Sequence, residues 1–307
     1  MKEIKRVIIL GAGAMGAYFA SRFFQTPGFE TAVLARGQRF ERLKRDGLIV
    51  NGQHLALPVA HPDRAPWTAD LVIVALKHHH LPGAVPDLRH FVGDGTTLLS
   101  VMNGLDSEET LAEAYGAEKV LYATSVGIDA QRQGNQISFT SPGKHYFGEA
   151  RNDTISPQVR RVQIAFDRAG ITYETPPDMI RILWWKFMVN VGVNQSSAVL
   201  RIPYGGFQTY PEAKVVMEML MREVIALAQV LEVDLQPQDV DDWYPVMASL
   251  SPVGKTSMLQ DIEAGRKTEV EMFAGKVVQL GQELGVPTPA NQLILNIIQV
   301  LERSGSQ

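Results

Sequence analysis

Within its first twenty residues the chain commits to a strand, a glycine-rich turn and a helix. The apolar run Val7-Ile8-Ile9-Leu10 leads directly into Gly11-Ala12-Gly13-Ala14-Met15-Gly16, and Ala17-Tyr18-Phe19-Ala20 continues beyond it. The spacing G-x-G-x-x-G carries weight because it sits between a strand and a helix. Gly11 allows the tight turn, Gly13 lets a pyrophosphate approach the backbone, and Gly16 lets the helix pack closely on the strand. The N–H groups of this stretch, Ala12, Ala14 and Met15 included, open a helix and so favour an anion. A glycine turn with no ligand is the bland alternative. The second strand at the right distance favours a dinucleotide.

The rest of the first half supports that reading. Short apolar runs at 7–10, 31–35, 71–76, 97–102 and 120–125 alternate with helical patterns, which predicts a parallel sheet with crossover helices. The run LVIVAL at 71–76 is apolar throughout, as a strand covered on both faces requires. Asn51-Gly52 between 48–50 and 55–57 predicts a tight hairpin, and Gln133-Gly134-Asn135 before 137–139 a second one. Residues 156–169 read as a helix and 171–174 as a last strand. After Pro176-Pro177 the patterns are long and helical, at 179–200, 212–232, 270–284 and 291–303, with nothing strand-like. The fold class expected is α/β plus all-α: a Rossmann domain over 1–176 and a helical domain over 177–307, with 304–307 a frayed tail.

Composition excludes several functions. Lys+Arg 29 against Asp+Glu 33 gives a net charge of −4, which supports neither a nucleic-acid nor an anionic-membrane binder. Cysteine is absent, so disulfides, thiol nucleophiles and cysteine-held metal are excluded; this is compatible with a reducing compartment without proving one, and the location expected is cytoplasmic. MKEIKR before an apolar run imitates a signal peptide, but cleavage there would destroy the glycine motif, so this end is read as mature protein.

Cofactor choice turns on the end of the second strand. A site for NAD carries Asp or Glu there; this chain has Arg36. Guanidinium pairs with a 2′-phosphate in a bidentate fork, where a carboxylate would repel it. Lys77, directly after 71–76, adds a second positive charge. NADPH is therefore the expected cofactor, with solvated loop charges as the alternative.

One segment of the second half concentrates polar chemistry. In ILWWKFMVNVGVNQSSAVL, between Arg181 and Arg201, Lys186 is the only charge. Burying a lone ammonium is costly unless something pairs with it or uses it. Asn190 and Asn194 follow at four-residue steps, each drifting only about 40° around a helix, so the three share a face. Such a stripe can meet a carbonyl and a carboxylate; a lysine that snorkels past the tryptophans is the equal alternative. Glu269, in Gly265-Arg266-Lys267-Thr268-Glu269, reads by itself as a solvated carboxylate at a helix start. Asn103-Gly104 closes the 97–102 strand where open α/β sheets hold ligands, although an Asn-Gly turn is the ordinary explanation of the pair.

These residues together resemble the ketopantoate reductase (2-dehydropantoate 2-reductase) family over nearly all 307 residues. The resemblance rests on GAGAMG at 11–16, Arg36, Lys77, M-N-G at 102–104, W-K-F-M-V-N-V-G-V-N at 185–194 and S-M-L-Q-D…G-R-K-T-E at 257–269. It implies NADPH-dependent reduction of ketopantoate to pantoate in pantothenate biosynthesis, with Lys186 and Glu269 catalytic. It also implies that Asn103, Asn190, Asn194 and Ser257 bind substrate, and Asn103 the cofactor too. Related β-hydroxyacid dehydrogenases carry K-x-x-N-N, from which Lys186-x-x-x-Asn190 departs. Two features depart from the family's own pattern: Asn194-Gln195 where Asn-Pro is common, and His78, His79 and His80 beside Lys77, read as a polar loop edge and not a metal site. The expected partner is a small 2-oxo acid, with a homodimer as the assembly to test. The alternatives are a reductase of another branched 2-oxo acid and a non-catalytic NADPH sensor. The retained Lys186, Asn190 and Glu269 speak against the sensor.

Overall fold

The computed structural model describes residues 2–304. The first half contains β1 (Arg6–Leu10), α1 (Ala14–Gln25), β2 (Glu30–Leu34), α2 (Gly37–Asp46), β3 (Leu48–Val50), β4 (Gln53–Leu55), β5 (Val59–Ala60), β6 (Leu71–Val74), α3 (Leu81–Ala84), β7 (Thr97–Ser100) and α4 (Ser107–Tyr115). There follow β8 (Val120–Ile128), β9 (Gln131–Gln133), β10 (Gln136–Ser138), β11 (Pro142–Gly148), α5 (Pro157–Ala169) and β12 (Tyr173–Glu174). Eight strands form one sheet in the order β12-β11-β8-β7-β6-β1-β2-β5, and a second sheet runs β4-β3-β10-β9.

Side chains alternate across β1 and β6, as the two-residue period of a strand requires. Val7, Ile9, Leu71 and Ile73 enter the core under α1 and α5, with Phe19, Phe23 and Phe166. Ile8, Leu10, Val72 and Val74 enter the opposite core, with Leu81, Leu88, Phe91 and Leu111. Each such side chain contributes roughly 1.5–3 kcal/mol by leaving water, so both faces of the central strands are fixed.

The sheet departs from the parallel expectation at one edge. β11 runs antiparallel to β8, from Pro142 against Ile128 to Gly148 against Tyr122. Its sequence, PGKHYFG, begins with two poor strand formers and gives no alternation to read. The hairpin at Asn51-Gly52 forms with positive φ at both residues, 47° and 79°, but its second strand is β4, two residues before 55–57.

The second half holds α6 (Met179–Val189), α7 (Gln195–Leu200), α8 (Tyr204–Thr209), α9 (Pro211–Val230), α10 (Gln238–Ser249), α11 (Ser257–Glu263), α12 (Lys276–Leu284) and α13 (Pro289–Ser304). No strand occurs there among the described residues. Ser304 ends α13; the remainder of the expected tail, 305–307, lies outside the described residues. Contacts divide the chain into two compact units, Met1–Ile182 and Leu183–Gln307. The division falls inside α6, a few residues beyond Pro176-Pro177. The start of α6 is tied to the first unit by the Met179 N–H donating to the Ala150 carbonyl and by the Arg151–Asp178 ion pair at 2.7 Å.

Two segments expected as plain helix widen into π turns, Asn190–Asn194 and Glu271–Gly275. The first packs closely on α9. A Cβ on Gly192 would lie 2.5 Å from Met221 Cγ and 3.1 Å from the Met217 carbonyl oxygen.

Candidate active site

In the first unit, β1 sits where strand order reverses: β2 lies on one side, β6 and β7 on the other. Ligands of open α/β sheets bind outside the carboxyl ends of strands at such a point. The glycine turn, Arg36, Lys77 and Asn103 follow β1, β2, β6 and β7 respectively, so all are brought to this end of the sheet.

The turn fits a dinucleotide phosphate on its own geometry. A Cβ on Gly11, at φ 108°, would lie 2.4 Å from the Ala75 carbonyl oxygen, and one on Gly16 would lie 1.8 Å from the Gly11 oxygen. A Cβ on Gly13 would meet nothing within 4 Å. Packing thus demands the first and third glycines, while the middle one keeps space open over the turn. Gly13 is the N-cap of α1, with no side-chain cap and no acidic residue in the first turn. The N–H groups of Ala14 and Met15 therefore open the helix without a competing carboxylate from its first turn.

Arg36 caps α2 and is itself engaged. Its Nη1 lies 3.2 Å from Asp87 Oδ1, and its Nη2 donates to the Gly83 carbonyl at 3.0 Å. Burial pushes the Asp87 carboxyl up, and Arg36 opposes that shift. The guanidinium is still largely exposed at 60%. Lys77, half-buried, precedes a 3₁₀ turn made of His78–His80. Asn103, also half-buried, precedes Gly104 at φ 98°.

A residue without a sequence signal of its own follows Asn103. Glu108 is buried, accepts from the Ser107 hydroxyl at 2.8 Å, and Ser107 meets Ser100 Oγ at 2.7 Å. Desolvation raises its carboxyl to about 7. The chain Ser100–Ser107–Glu108 ties the end of β7 to the start of α4 and spans the loop that carries Asn103.

In the second unit, Lys186 lies in the last turn of α6, and Asn190 and Asn194 begin and end the first π turn. Both asparagines are buried, at 4% and 9% exposure, and Lys186 is half-buried. Burial alone pushes the Lys186 ammonium down to about 8. A π turn closes on the fifth residue instead of the fourth, so each residue there rotates by less, and the drift expected for a pure α-helix is offset.

Gln195 holds this arrangement. Its Nε2 donates to the Val191 carbonyl at 2.8 Å and to Asn291 Oδ1 at 3.2 Å, while its Oε1 accepts from Ala274 N at 2.9 Å. Ala274 belongs to the second π turn, so one buried amide joins both wide turns. Asn291 is fixed in turn by Glu223, which also accepts from Ala290 N and Asn291 N at the start of α13. The departure from Asn-Pro is thus accounted for within the fold.

Ser257 and Glu269 come from one clasped segment. Thr256 caps α11, accepting from Leu259 N, and Ser257 is its exposed first residue. α11 packs on α7 and on the first π turn. Arg266 returns to Asp261 at 2.8 Å across a turn with Gly265 at φ 60°. Thr268 is then anchored through its N–H and hydroxyl to Glu302 Oε1. Glu269, half-buried, follows this anchor, and its carbonyl accepts from Met272 N and Phe273 N at the start of the second π turn.

A doubly wound sheet with a glycine turn at its switch point, followed by a helical unit carrying Lys186 among buried amides, defines a two-unit protein of Rossmann type. The chain belongs to the ketopantoate reductase family: the PanE/ApbA family matches residues 7–152 and its C-terminal counterpart residues 178–302. It is 28% identical to the 2-dehydropantoate 2-reductase of Archaeoglobus fulgidus, over 98% of this chain and 99% of that one. Among solved structures it resembles a D-mandelate dehydrogenase with NADH and anilino(oxo)acetate, at TM-score 0.89 and 20% identity over 98% of this chain and 100% of that one. It also resembles a dimeric ketopantoate reductase from Staphylococcus aureus, at TM-score 0.82 and 20% identity over 98% and 99% of the two chains. Among the described residues no helix is long and apolar enough to cross a membrane.

Proposed function

We propose that this protein reduces 2-dehydropantoate to pantoate with NADPH, a step of pantothenate biosynthesis. The observation that carries the reading is Lys186, a desolvated ammonium on one stripe with two buried amides, its proton held at about 8. A proton donor works best when its pKa lies near the working pH.

The turn at Gly11–Gly16 would hold the pyrophosphate, with Arg36 and Lys77 toward a 2′-phosphate and Asn103 toward the nicotinamide side. The chemistry the dinucleotide supplies when bound is a hydride for C2 of the 2-oxo acid. Lys186 Nζ hydrogen-bonds the carbonyl oxygen, stabilises its growing negative charge and passes it the proton. Asn190, Asn194 and Ser257 orient the substrate. Glu269 accepts a hydrogen bond from the substrate's hydroxyl, and a site built to bond a hydroxyl discriminates strongly against analogues lacking it. A cytoplasmic homodimer is the assembly in which we expect this activity.

The test is an initial-rate comparison, following NADPH absorbance, of ketopantoate against branched 2-oxo acids without the hydroxyl. A clear kcat/KM preference for ketopantoate is expected. Equal values overturn the substrate assignment, and no NADPH oxidation with any 2-oxo acid overturns the enzyme.

A further inference from the structure

The last turn of α13 carries a carboxylate that its local position does not favour. Glu302 stands there, where the negative end of the helix dipole opposes an anion. It lies four residues beyond Ile298, which is fully buried, so it shares the inward face of the helix and is itself half-buried. Its Oε1 accepts from Thr268 N at 2.7 Å and from the Thr268 hydroxyl at 2.6 Å. A carboxylate held against local preference by two charge-assisted bonds serves something other than its own helix.

The two bonds fix the backbone on both sides of Glu269. Residues 264–267 are exposed, and the chain turns inward at Thr268, which is fully buried. The Thr268 hydroxyl donates to Glu302 and accepts from Val270 N at 3.2 Å. The N–H groups before and after Glu269 are thereby tied to one carboxylate, the first directly and the second through the hydroxyl. The Glu269 carbonyl in turn accepts from Met272 N and Phe273 N. Glu302 is delivered by a pinned helix, its start held by Glu223 and its middle by the buried Ile294 and Ile298. A functional group must be held within about 0.5 Å of its working place. Residues 264–270 form neither helix nor strand, so that precision has to come from such anchors.

We propose that Glu302 is a positioning residue that acts through Glu269 and sets the preference for 2-oxo acids bearing a hydroxyl over those without one. This rests on the reading in which Glu269 accepts a hydrogen bond from the substrate's hydroxyl. Without Glu302 the buried Thr268 N–H and hydroxyl lose their acceptor, and the backbone that aims Glu269 loses its fixed point. The hydroxyl contact then suffers. The groups assigned to the carbonyl oxygen and the carboxylate on α6 and the first π turn keep their places, because none of them depends on Thr268.

Initial rates of NADPH oxidation by the full chain test it, with ketopantoate and with its deoxy analogue, in which a methyl group replaces the hydroxymethyl. Glu302→Ala should lower kcat/KM for ketopantoate by about 10–100-fold, the value of one hydrogen bond to a charged group. The value for the analogue should barely change. Glu302→Gln, which keeps a carbonyl acceptor, should recover most of the loss. In a Glu269→Ala background, Glu302→Ala should cost no further discrimination, because residues that act as a unit are not additive. Thr268→Val keeps the N–H bond to Glu302 and breaks the link to Val270, so it carries the test if Glu302→Ala does not fold. It should move the ratio of the two substrates in the same direction. Equal losses on both substrates, or an unchanged ratio in these variants, make Glu302 an anchor of the fold alone and overturn the proposal. If Glu269→Ala loses the discrimination while Glu302→Ala keeps it, this inference falls and the proposed function stands. If Glu269→Ala keeps it, or the wild type oxidises NADPH with neither substrate, the underlying reading falls and takes this inference with it.

Discussion

Lys186 bears the largest chemical demand of any single residue, because charge develops on the carbonyl oxygen it faces in the proposed reaction. Removing a general acid typically costs 10²–10⁴-fold in rate, so Lys186→Ala should lower kcat by about that factor. Reduction needs the ammonium protonated, so the wild-type kcat should fall as pH rises through about 8, and the variant should lose that limb. A variant with near-normal turnover and an intact limb would make the lysine structural. His145 sets a different pH limit. It is buried among Tyr18, Phe19 and Phe166, its Nδ1 2.7 Å from Ser125 Oγ, and burial pushes its ring from 6.5 to about 4. Between those values the unfolded chain binds the extra proton, so stability falls as pH drops through the window and levels off below about 4. The loss is roughly 3 kcal/mol, and urea titrations at pH 7 and pH 4 should show it shrink in His145→Phe. Lys186 was legible because a lone charge in an apolar run is a local anomaly. The Asp87 partner of Arg36 was not, since that contact lies far along the chain, and Glu108 was not, since only the folded sheet and helix bury it.

At the scale of elements, the helical unit depends on two wide turns held by one amide. Gln195→Ala would leave Ala274 N without its acceptor and free Asn291 from a donor, and each buried group left unsatisfied costs about 1–3 kcal/mol. Gln195→Ala should therefore lower stability by at least that amount in chemical denaturation, and lower kcat because Asn190 and Asn194 lose their spacing. Unchanged stability would mean that the π turns are held by packing on α9. Helical periodicity could place the segments 179–200 and 270–284, but a one-residue widening leaves spacings of three and four almost intact and so gives no signal. Other omissions have equally physical causes. Gly205-Gly206 hides α8, Pro245 inside α10 reads as a breaker, and α11 is only seven residues long. The glycine turn was legible in full because strand, turn and helix are contiguous. Gly16→Ala should abolish dinucleotide binding, given the 1.8 Å approach to the Gly11 oxygen, and an equilibrium titration with NADPH checks it.

Across the whole molecule, the groups assigned to the dinucleotide's phosphates and those assigned to proton transfer and to the substrate's hydroxyl belong to different units. The glycine turn, Arg36 and Lys77 precede Ile182, while Lys186 and Glu269 follow it. A ligand that binds only the folded state stabilises the part that binds it, by about 2.7 kcal/mol at a hundred times Kd. For a unit of this size that corresponds to roughly 5–10 °C in melting temperature. NADPH at that excess should therefore raise the melting of the first unit by this amount. Arg36→Asp should remove most of the shift at the same NADPH concentration, and NADH should then do as well as NADPH. Lys186→Ala should keep the full shift while losing turnover, since the phosphates are held elsewhere. Calorimetric scans of wild type and both variants, with and without NADPH, decide the matter. If Lys186→Ala loses the NADPH shift as completely as Arg36→Asp does, dinucleotide binding and proton transfer are not divided between the units, and Lys186 is holding cofactor.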